Sequence, residues 1–237
     1  REGCRARAVF CESLKEADEN GIPLAIREYL MDADVLISTL AFSSPHGLDC
    51  PVIQAVMSGS TRAEWNGSAA GLSPRDVAMH VALPEFDGRI ISVPISFKDE
   101  GVRDEPLGAE LRRNIPLPSR VAKVARLAKS WSVLRRTPNG EKRVAILFNN
   151  YPTRNARVGN GVGLDTPESV IRLLRALEAA GYDIGPIPED GDDLIHTLLA
   201  GCTHDDEFQT PENLEQTPCK LDPADYAQRF GRVPPSR

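Results

Sequence analysis

Short apolar runs and helical stripes alternate along the first half of this chain. Runs rich in Val and Ile are typical of buried strands, and they occur at residues 7–11, 34–40 and 89–97. Apolar positions at helical spacing predict helices between these runs, at residues 23–31, 51–58 and 73–82. Strands that alternate with helices predict a three-layer α/β unit.

A second unit of the same kind is predicted after a helix and a turn. The apolar positions of residues 119–134 lie on one side of a helix, and the sequence PNG at residues 138–140 predicts a turn. The predicted organisation is therefore an α/β unit over residues 1–118, a connecting helix and turn over residues 119–139, and a second α/β unit over residues 140–237.

The second unit shows two predicted strands and one well-marked helix. The strands are expected at residues 143–148 and 182–187. Thr166 is the candidate N-cap of the helix, with Pro167 at its first position. Because two strands do not make a stable sheet, we expect that the chain is a fragment or that its sheet is completed by a part that is missing. The predicted fold class is α/β, with two Rossmann-like units of mostly parallel strands and flanking helices, the second of them incomplete.

Composition narrows the classes of protein that remain. The net charge of −6 argues against a nucleic-acid binder, which normally carries a basic surplus. The apolar runs are too short for a membrane span, and the first ten residues lack the apolar core of a signal peptide, so a cytoplasmic location is predicted. Five cysteines without a C-x-x-C pair predict reduced thiols.

The loop NNYPTRNARVGNGVGLD, residues 149–165, follows a predicted strand and is rich in glycine. It lacks the lysine of a Walker loop, and its glycines do not have the spacing of a dinucleotide-binding loop. We therefore expect no direct nucleotide binding here. A tight turn would explain the glycines, but it leaves Arg154 and Arg157 unexplained.

A second polar stretch, LPEFDGR at residues 83–89, places Glu85 and Asp87 beside Arg89 just before a strand. His80 lies five residues before Glu85. A histidine and two carboxylates near a turn can hold a divalent metal or accept protons. The alternative is a capped helix followed by a turn, with Arg89 as a salt-bridge partner.

Both stretches belong to a set of motifs that resembles one family. The sequences GSTRAEW, LSPRDVAMHVALPEFDGRI, NNYPTRNARVGNGVGLDTPESV and LLRALEAAGY are together similar to the large subunit of aerobic cobaltochelatase, the CobN type. That subunit is related to the porphyrin-binding H subunit of magnesium chelatase. The resemblance covers most of residues 35–200, and the chains of this family are several times longer.

The resemblance implies a metal-insertion complex of cobalamin biosynthesis. In this family the large subunit binds hydrogenobyrinic acid a,c-diamide and Co²⁺, while separate AAA+ subunits hydrolyse ATP. The missing Walker lysine is therefore expected. Two alternatives stay open: a tetrapyrrole-binding or scaffold protein that has lost catalysis, and the magnesium branch of the family. The sequence NGVGLDTP favours cobalt over magnesium as the inserted metal ion.

The resemblance also suggests roles for individual residues. Glu85 is expected to deliver the metal or accept protons, with Asp87 in support and His80 as a second metal ligand. The expected substrate-binding residues are Arg89, Arg154 and Arg157, which would pair with carboxylates, and Asn160, which would bind an amide.

Two features limit these assignments. The family more often has Asn at the position of His80. The sequence CTHDDE at residues 202–207 has the residue types of a metal cluster, but it falls where the family has a plain loop. We therefore expect no metal site there.

Overall fold

The computed structural model describes residues 3–10, 16–42, 49–106, 108–151, 153–201, 203, 205–217 and 220–231. The chain divides into two compact units, Arg1–Thr137 and Pro138–Arg237. No helix in the described ranges is both long enough and apolar enough to cross a membrane.

A mixed sheet of mostly parallel strands organises the first unit. Its strands are β1 (Leu36–Ser38), β2 (Val52–Thr61), β3 (Ile90–Lys98) and β6 (Asn114–Pro116). Their order in the sheet is β1-β2-β3-β6, in which β1, β2 and β3 are parallel and β6 is antiparallel to β3. A separate antiparallel pair consists of β4 (Val102–Asp104) and β5 (Ala109–Leu111). The predicted α/β class with mostly parallel strands is confirmed, and β3 lies where a strand was predicted.

The predicted helix at residues 51–58 is wrong, because this segment forms most of the central strand β2. Ile53, Ala55 and Val56 are all fully buried. A parallel strand covered on both faces carries a continuous apolar run without alternation, and such a run cannot be told from a buried helix by its spacing. Pairing with β1 and β3 decides the conformation.

Five helices accompany this sheet. They are α1 (Leu24–Tyr29), α2 (Arg62–Gly67), α3 (Pro74–Val77), α4 (Leu83–Phe86) and α5 (Pro118–Arg136). A π-helical turn, Ala78–Ala82, joins α3 directly to α4. The helices predicted at residues 23–31, 73–82 and 119–134 are therefore observed. The strand predicted at residues 34–40 is shorter in the structure, and residues 7–10 of the strand predicted at 7–11 are not in a strand.

Helix α5 packs on the sheet of the first unit. Val124 and Ala128 form a buried cluster with Ile53 and Ala55 of β2, and Trp131 packs against this cluster. The helix that was predicted to connect the two units therefore lies within the first, since its apolar stripe is buried on β2.

The second unit is helical in its described residues. Its helices are α6 (Thr166–Ala179), α7 (Gly191–Leu199), α8 (Pro211–Gln216) and α9 (Pro223–Phe230). The side chain of Asp165, and not that of the predicted Thr166, caps α6 by accepting a hydrogen bond from the Glu168 backbone N–H at 3.1 Å.

The predicted strands at residues 143–148 and 182–187 are not formed. Ile146 and Phe148 pack against Val170 and Ile171 of α6, so the apolar run is partly buried as expected. A strand also needs a neighbouring ladder. Among the described residues, an isolated bridge between Asn150 and Val158 follows this segment, and it is not part of a ladder.

Candidate functional site

The carboxyl ends of the parallel strands open onto a cavity of about 790 Å³ in the first unit. Leu40 follows β1, Ser60 lies near the end of β2, and Lys98 is the last residue of β3; all three line the cavity. Arg75 and His80 line it from the helical segment that follows β2. Ligands of open α/β sheets bind at this edge, so this cavity is the candidate site.

His80 lies in the middle of the π-helical turn Ala78–Ala82. The Leu83 backbone N–H donates to the Ala78 carbonyl, five residues back. Pro84 explains the wider turn, because it has no N–H to donate to the His80 carbonyl and its ring would clash with that group. Single π-helical turns within α-helices are frequent at functional sites.

The Nδ1 atom of His80 is buried and has no hydrogen-bond partner among the described residues. Burial lowers the pKa of His80, and the nearby charge of Asp76 opposes this shift. The imidazole is therefore neutral near pH 7. A neutral imidazole has one nitrogen that can accept a proton.

Asp76 fixes the helical segment that carries His80. Its buried carboxylate accepts hydrogen bonds from Ser58 Oγ at 2.9 Å and from the Gly59 backbone N–H at 3.0 Å. The Asp76 backbone N–H in turn donates to Ser73 Oγ, the N-cap of α3. Asp76 precedes His80 by about one helical turn. Its hydrogen bonds therefore fix the position of the His80 side chain relative to β2.

Arg89 is buried and paired within the protein, which does not favour the substrate-binding role predicted for it. Its side chain is fully buried and forms an ion pair with Asp87 Oδ2 at 2.8 Å. The guanidinium also donates to Gln54 Oε1 at 2.7 Å and to the carbonyls of Leu40 and Phe42, both at 3.1 Å. It thereby ties the segment after β1 to β2 and β3 beneath the cavity.

The two carboxylates of the LPEFDGR stretch differ in their surroundings. The side chain of Asp87 is 11% exposed and engaged by Arg89, which favours the salt-bridge alternative over the predicted catalytic role. Glu85 is exposed on α4 and is not among the described residues that line the cavity. No group of three or more His, Cys, Asp or Glu side chains within the described ranges is arranged to hold a metal ion.

The glycine-rich loop lies in the second unit. Arg154 forms ion pairs with Glu207 at 2.5 Å and with Asp205 at 3.8 Å, so this chain already supplies carboxylates to its guanidinium. Arg157 is exposed and lines a second cavity of about 530 Å³, and Asn160 is exposed. The roles predicted for Arg157 and Asn160 stay predictions.

The stretch at residues 202–207 lies partly outside the described residues, which omit Cys202 and His204. Buried Asp205, besides its ion pair with Arg154, accepts a hydrogen bond from the Asn155 backbone N–H at 2.8 Å. This carboxylate therefore ties the glycine-rich loop to the segment after α7.

Four residues of the site were not found from the sequence: Ser58, Gly59, Arg75 and Lys98. The signal that identifies three of them is the end of a parallel strand. Had residues 51–58 been interpreted as a strand, Ser58 and Gly59 would have been expected at its carboxyl end, next to Lys98 at the end of β3.

Comparison with known proteins places these features in a family. A family model described as CobN/Magnesium Chelatase matches residues 1–237. The chain is 40% identical over 252 aligned residues to the aerobic cobaltochelatase subunit CobN of Pseudomonas aeruginosa, with 96% of this chain and 20% of that protein covered. It is 44% identical over 223 residues to the CobN subunit of a Sinorhizobium species, with 88% and 17% covered. The chain thus spans about a fifth of the length of these relatives.

A solved structure has the same fold. The catalytic subunit of cobaltochelatase from Mycobacterium tuberculosis superposes with a TM-score of 0.66 at 38% identity, over 81% of this chain and 17% of that one. The degree of identity is similar in the sequence and structure comparisons. The chain therefore belongs to the CobN/magnesium chelatase family.

Proposed function

We propose that this chain is part of the tetrapyrrole-binding subunit of an ATP-dependent cobaltochelatase. The reaction is the insertion of Co²⁺ into hydrogenobyrinic acid a,c-diamide, and ATP is hydrolysed by separate AAA+ subunits. The observation that carries the proposal is the cavity at the carboxyl edge of the sheet, which is lined by the neutral imidazole of His80. The family relationship supplies the class of reaction.

The chemistry of metal insertion requires the functions that this cavity can provide. The inner N–H of the corrin loses its proton as the metal ion enters the macrocycle, and the metal ion sheds water. A neutral imidazole accepts this proton and passes it to solvent. Ligand cavities commonly measure about 300 to 1,000 Å³, and the volume of about 790 Å³ suits a large macrocyclic ligand.

Glu85 is retained in this proposal as the group that receives hydrated Co²⁺ or takes up the proton released from the macrocycle. It is exposed to solvent and lies on the same continuous helical segment as His80, which supports a role on the path from solvent. Asp87 and Arg89 act indirectly, by fixing the end of this segment against β2. Arg157 and Asn160 are proposed as secondary contacts to substrate. The complex is proposed to work in the cytoplasm.

Substitution of His80 tests the proposal. In the intact subunit with its ATPase partners, His80→Ala should lower the rate of Co²⁺ insertion about 100-fold, in the range for loss of a general base. The affinity for the corrin, followed by its absorption spectrum, should stay within about threefold. His196→Ala is the matched control, because His196 is exposed on α7 in the second unit.

Three outcomes would contradict the proposal. Unchanged insertion by His80→Ala would remove His80 from the reaction. Corrin binding without any insertion by the wild-type complex would favour a non-catalytic binding protein. Preferential insertion of Mg²⁺ into protoporphyrin would favour the magnesium branch of the family.

A further inference from the structure

Two basic side chains line the cavity without an acidic partner. Arg75 is exposed on α3, and Lys98 is half-buried at the end of β3. Within the described residues neither forms an ion pair with Asp or Glu, although other basic residues of the first unit, such as Arg27, Arg89 and Arg136, do. The two cations approach the cavity from different elements, one from the helical side and one from the sheet.

The one carboxylate among the described residues of the cavity wall is already engaged by other groups. Among the described lining residues, Asp76 is the one acidic side chain. Its oxygens already accept hydrogen bonds from Ser58 and Gly59. The cavity wall therefore carries a surplus of positive charge in a chain whose net charge is −6. A half-buried ammonium such as Lys98 gains most from an anionic partner, because it has already lost part of its hydration.

Most of the remaining wall is apolar, with contributions from Ile26, Leu36, Leu40 and Met57. The shape and charge of the cavity thus suit a ligand with a large apolar body and at least two anionic groups at its edge. Arg binds a carboxylate with two parallel N–H donors, and Lys binds it as a point charge.

We infer that Arg75 and Lys98 bind the edge carboxylates of the tetrapyrrole and select the acid form of the macrocycle over its neutral derivatives. This inference rests on the proposed function and names the residues that recognise the substrate. It assigns the carboxylate contacts to the first unit, beside His80, while Arg154 of the second unit is engaged by Glu207 and Asp205.

A binding titration on the intact subunit tests the inference. The probes are hydrogenobyrinic acid a,c-diamide and the same macrocycle with its free carboxylates methylated. Arg75→Gln and Lys98→Gln should each weaken binding of the acid about tenfold, in the range for loss of one charge-assisted hydrogen bond. Binding of the methylated macrocycle should change less than twofold. Lys98→Arg, which keeps the charge, should bind the acid within about threefold of wild type.

Matched controls remove a positive charge elsewhere on the first unit. Arg62 on α2 and Lys123 on α5 are exposed and do not line the cavity. Arg62→Gln and Lys123→Gln should leave the affinity for the acid unchanged. An equal loss in these controls would show a general effect of net charge and overturn the inference. Thermal melting of each variant checks that it remains folded.

The binding results distinguish a failure of this inference from a failure of the proposed function. If Arg75→Gln and Lys98→Gln bind the acid as wild type does, the inference is wrong and the proposed function stands. If both variants lose affinity for acid and methylated macrocycle alike, the two cations shape the cavity and do not select carboxylates. If the wild-type subunit binds neither macrocycle, the cavity is not a tetrapyrrole site and both proposals fail.

Discussion

The carboxylate of Asp76 accepts a hydrogen bond from Ser58 Oγ at 2.9 Å, and both residues are buried. This contact joins the helical segment that carries His80 to the central strand of the sheet. The Gly59 backbone N–H donates to the same carboxylate, at 3.0 Å from one oxygen and 3.1 Å from the other. The position of the imidazole over the cavity therefore depends on a polar contact between residues 18 positions apart.

Asp76→Ala should lower the free energy of unfolding by about 2 to 4 kcal/mol, because it leaves the buried Ser58 hydroxyl and the Gly59 N–H without their acceptor. Ser58→Ala removes one donor and should cost about 1 kcal/mol. Urea denaturation of both variants measures these changes. Asp32→Ala is the control, since the Asp32 side chain is 71% exposed and should contribute less than about 0.5 kcal/mol. Equal losses for Asp76→Ala and Asp32→Ala would contradict the structural role of Asp76.

Arg89→Met should be more damaging than removal of any surface arginine. It leaves the Asp87 carboxylate, Gln54 and the carbonyls of Leu40 and Phe42 without their donor, and we expect a loss of about 3 to 5 kcal/mol. Arg62→Met, at an exposed position, should stay within about 0.5 kcal/mol of wild type. A stable Arg89→Met variant that has lost only corrin binding would instead restore the substrate-binding role predicted for Arg89.

Substitution of two glycines in the loop of the second unit distinguishes the stability cost of a steric clash from the cost of backbone strain. Gly159 and Gly163 both have φ of +72°, which favours glycine. A Cβ at Gly159 would lie 2.8 Å from Phe148 Cδ1, while nothing lies within 4 Å of a Cβ at Gly163. Gly163→Ala should therefore cost about 1 kcal/mol. Gly159→Ala should cost about 1 to 3 kcal/mol more, because Phe148 must move out of the cluster with Ile171.

Thermal melting of the two glycine variants gives the comparison, and an equal shift in both would mean that Phe148 does not pack against Gly159.

The pH dependence of stability should carry a contribution from His80. Burial lowers its pKa in the folded protein, so the unfolded chain binds more protons in the window below about pH 6.5. The contribution is fully present above about pH 6.5 and is lost as the pH falls toward the lowered pKa. Wild type should therefore lose more stability than His80→Asn between pH 7.5 and pH 5.5. Parallel losses in the two proteins, or an NMR titration of His80 centred at or above 6.5, would contradict this expectation.

Local signals identified the helical segment of the site correctly. Ser73 accepts a hydrogen bond from the Asp76 backbone N–H and so caps the start of the helix predicted at residues 73–82. Pro84 breaks the ordinary helical pattern, and this is why the turn around His80 is widened. The spacing of His80 and Glu85 suggested a shared site, but the structure exposes Glu85 and turns His80 into the cavity.

Strands were harder to predict than helices. Residues 51–58 and 144–148 are both short apolar runs rich in β-branched residues, and their sequences do not show which of them pairs. The first lies between two parallel neighbours and forms β2, whereas the second packs beside α6 without a ladder. Strand formation depends on hydrogen bonds to distant segments, and these segments are not visible in the run itself.

The sequence by itself determined the family motifs, the mostly parallel α/β class, and the helices whose caps and apolar stripes lie within a few residues of one another. Only the tertiary structure decided that residues 51–58 form the central strand, that Arg89 is a buried structural cation, and that Arg75, His80 and Lys98 share one cavity. The reason is physical: a helix satisfies its own backbone, whereas a strand, a buried charge and a binding cavity are completed by residues far apart in the chain.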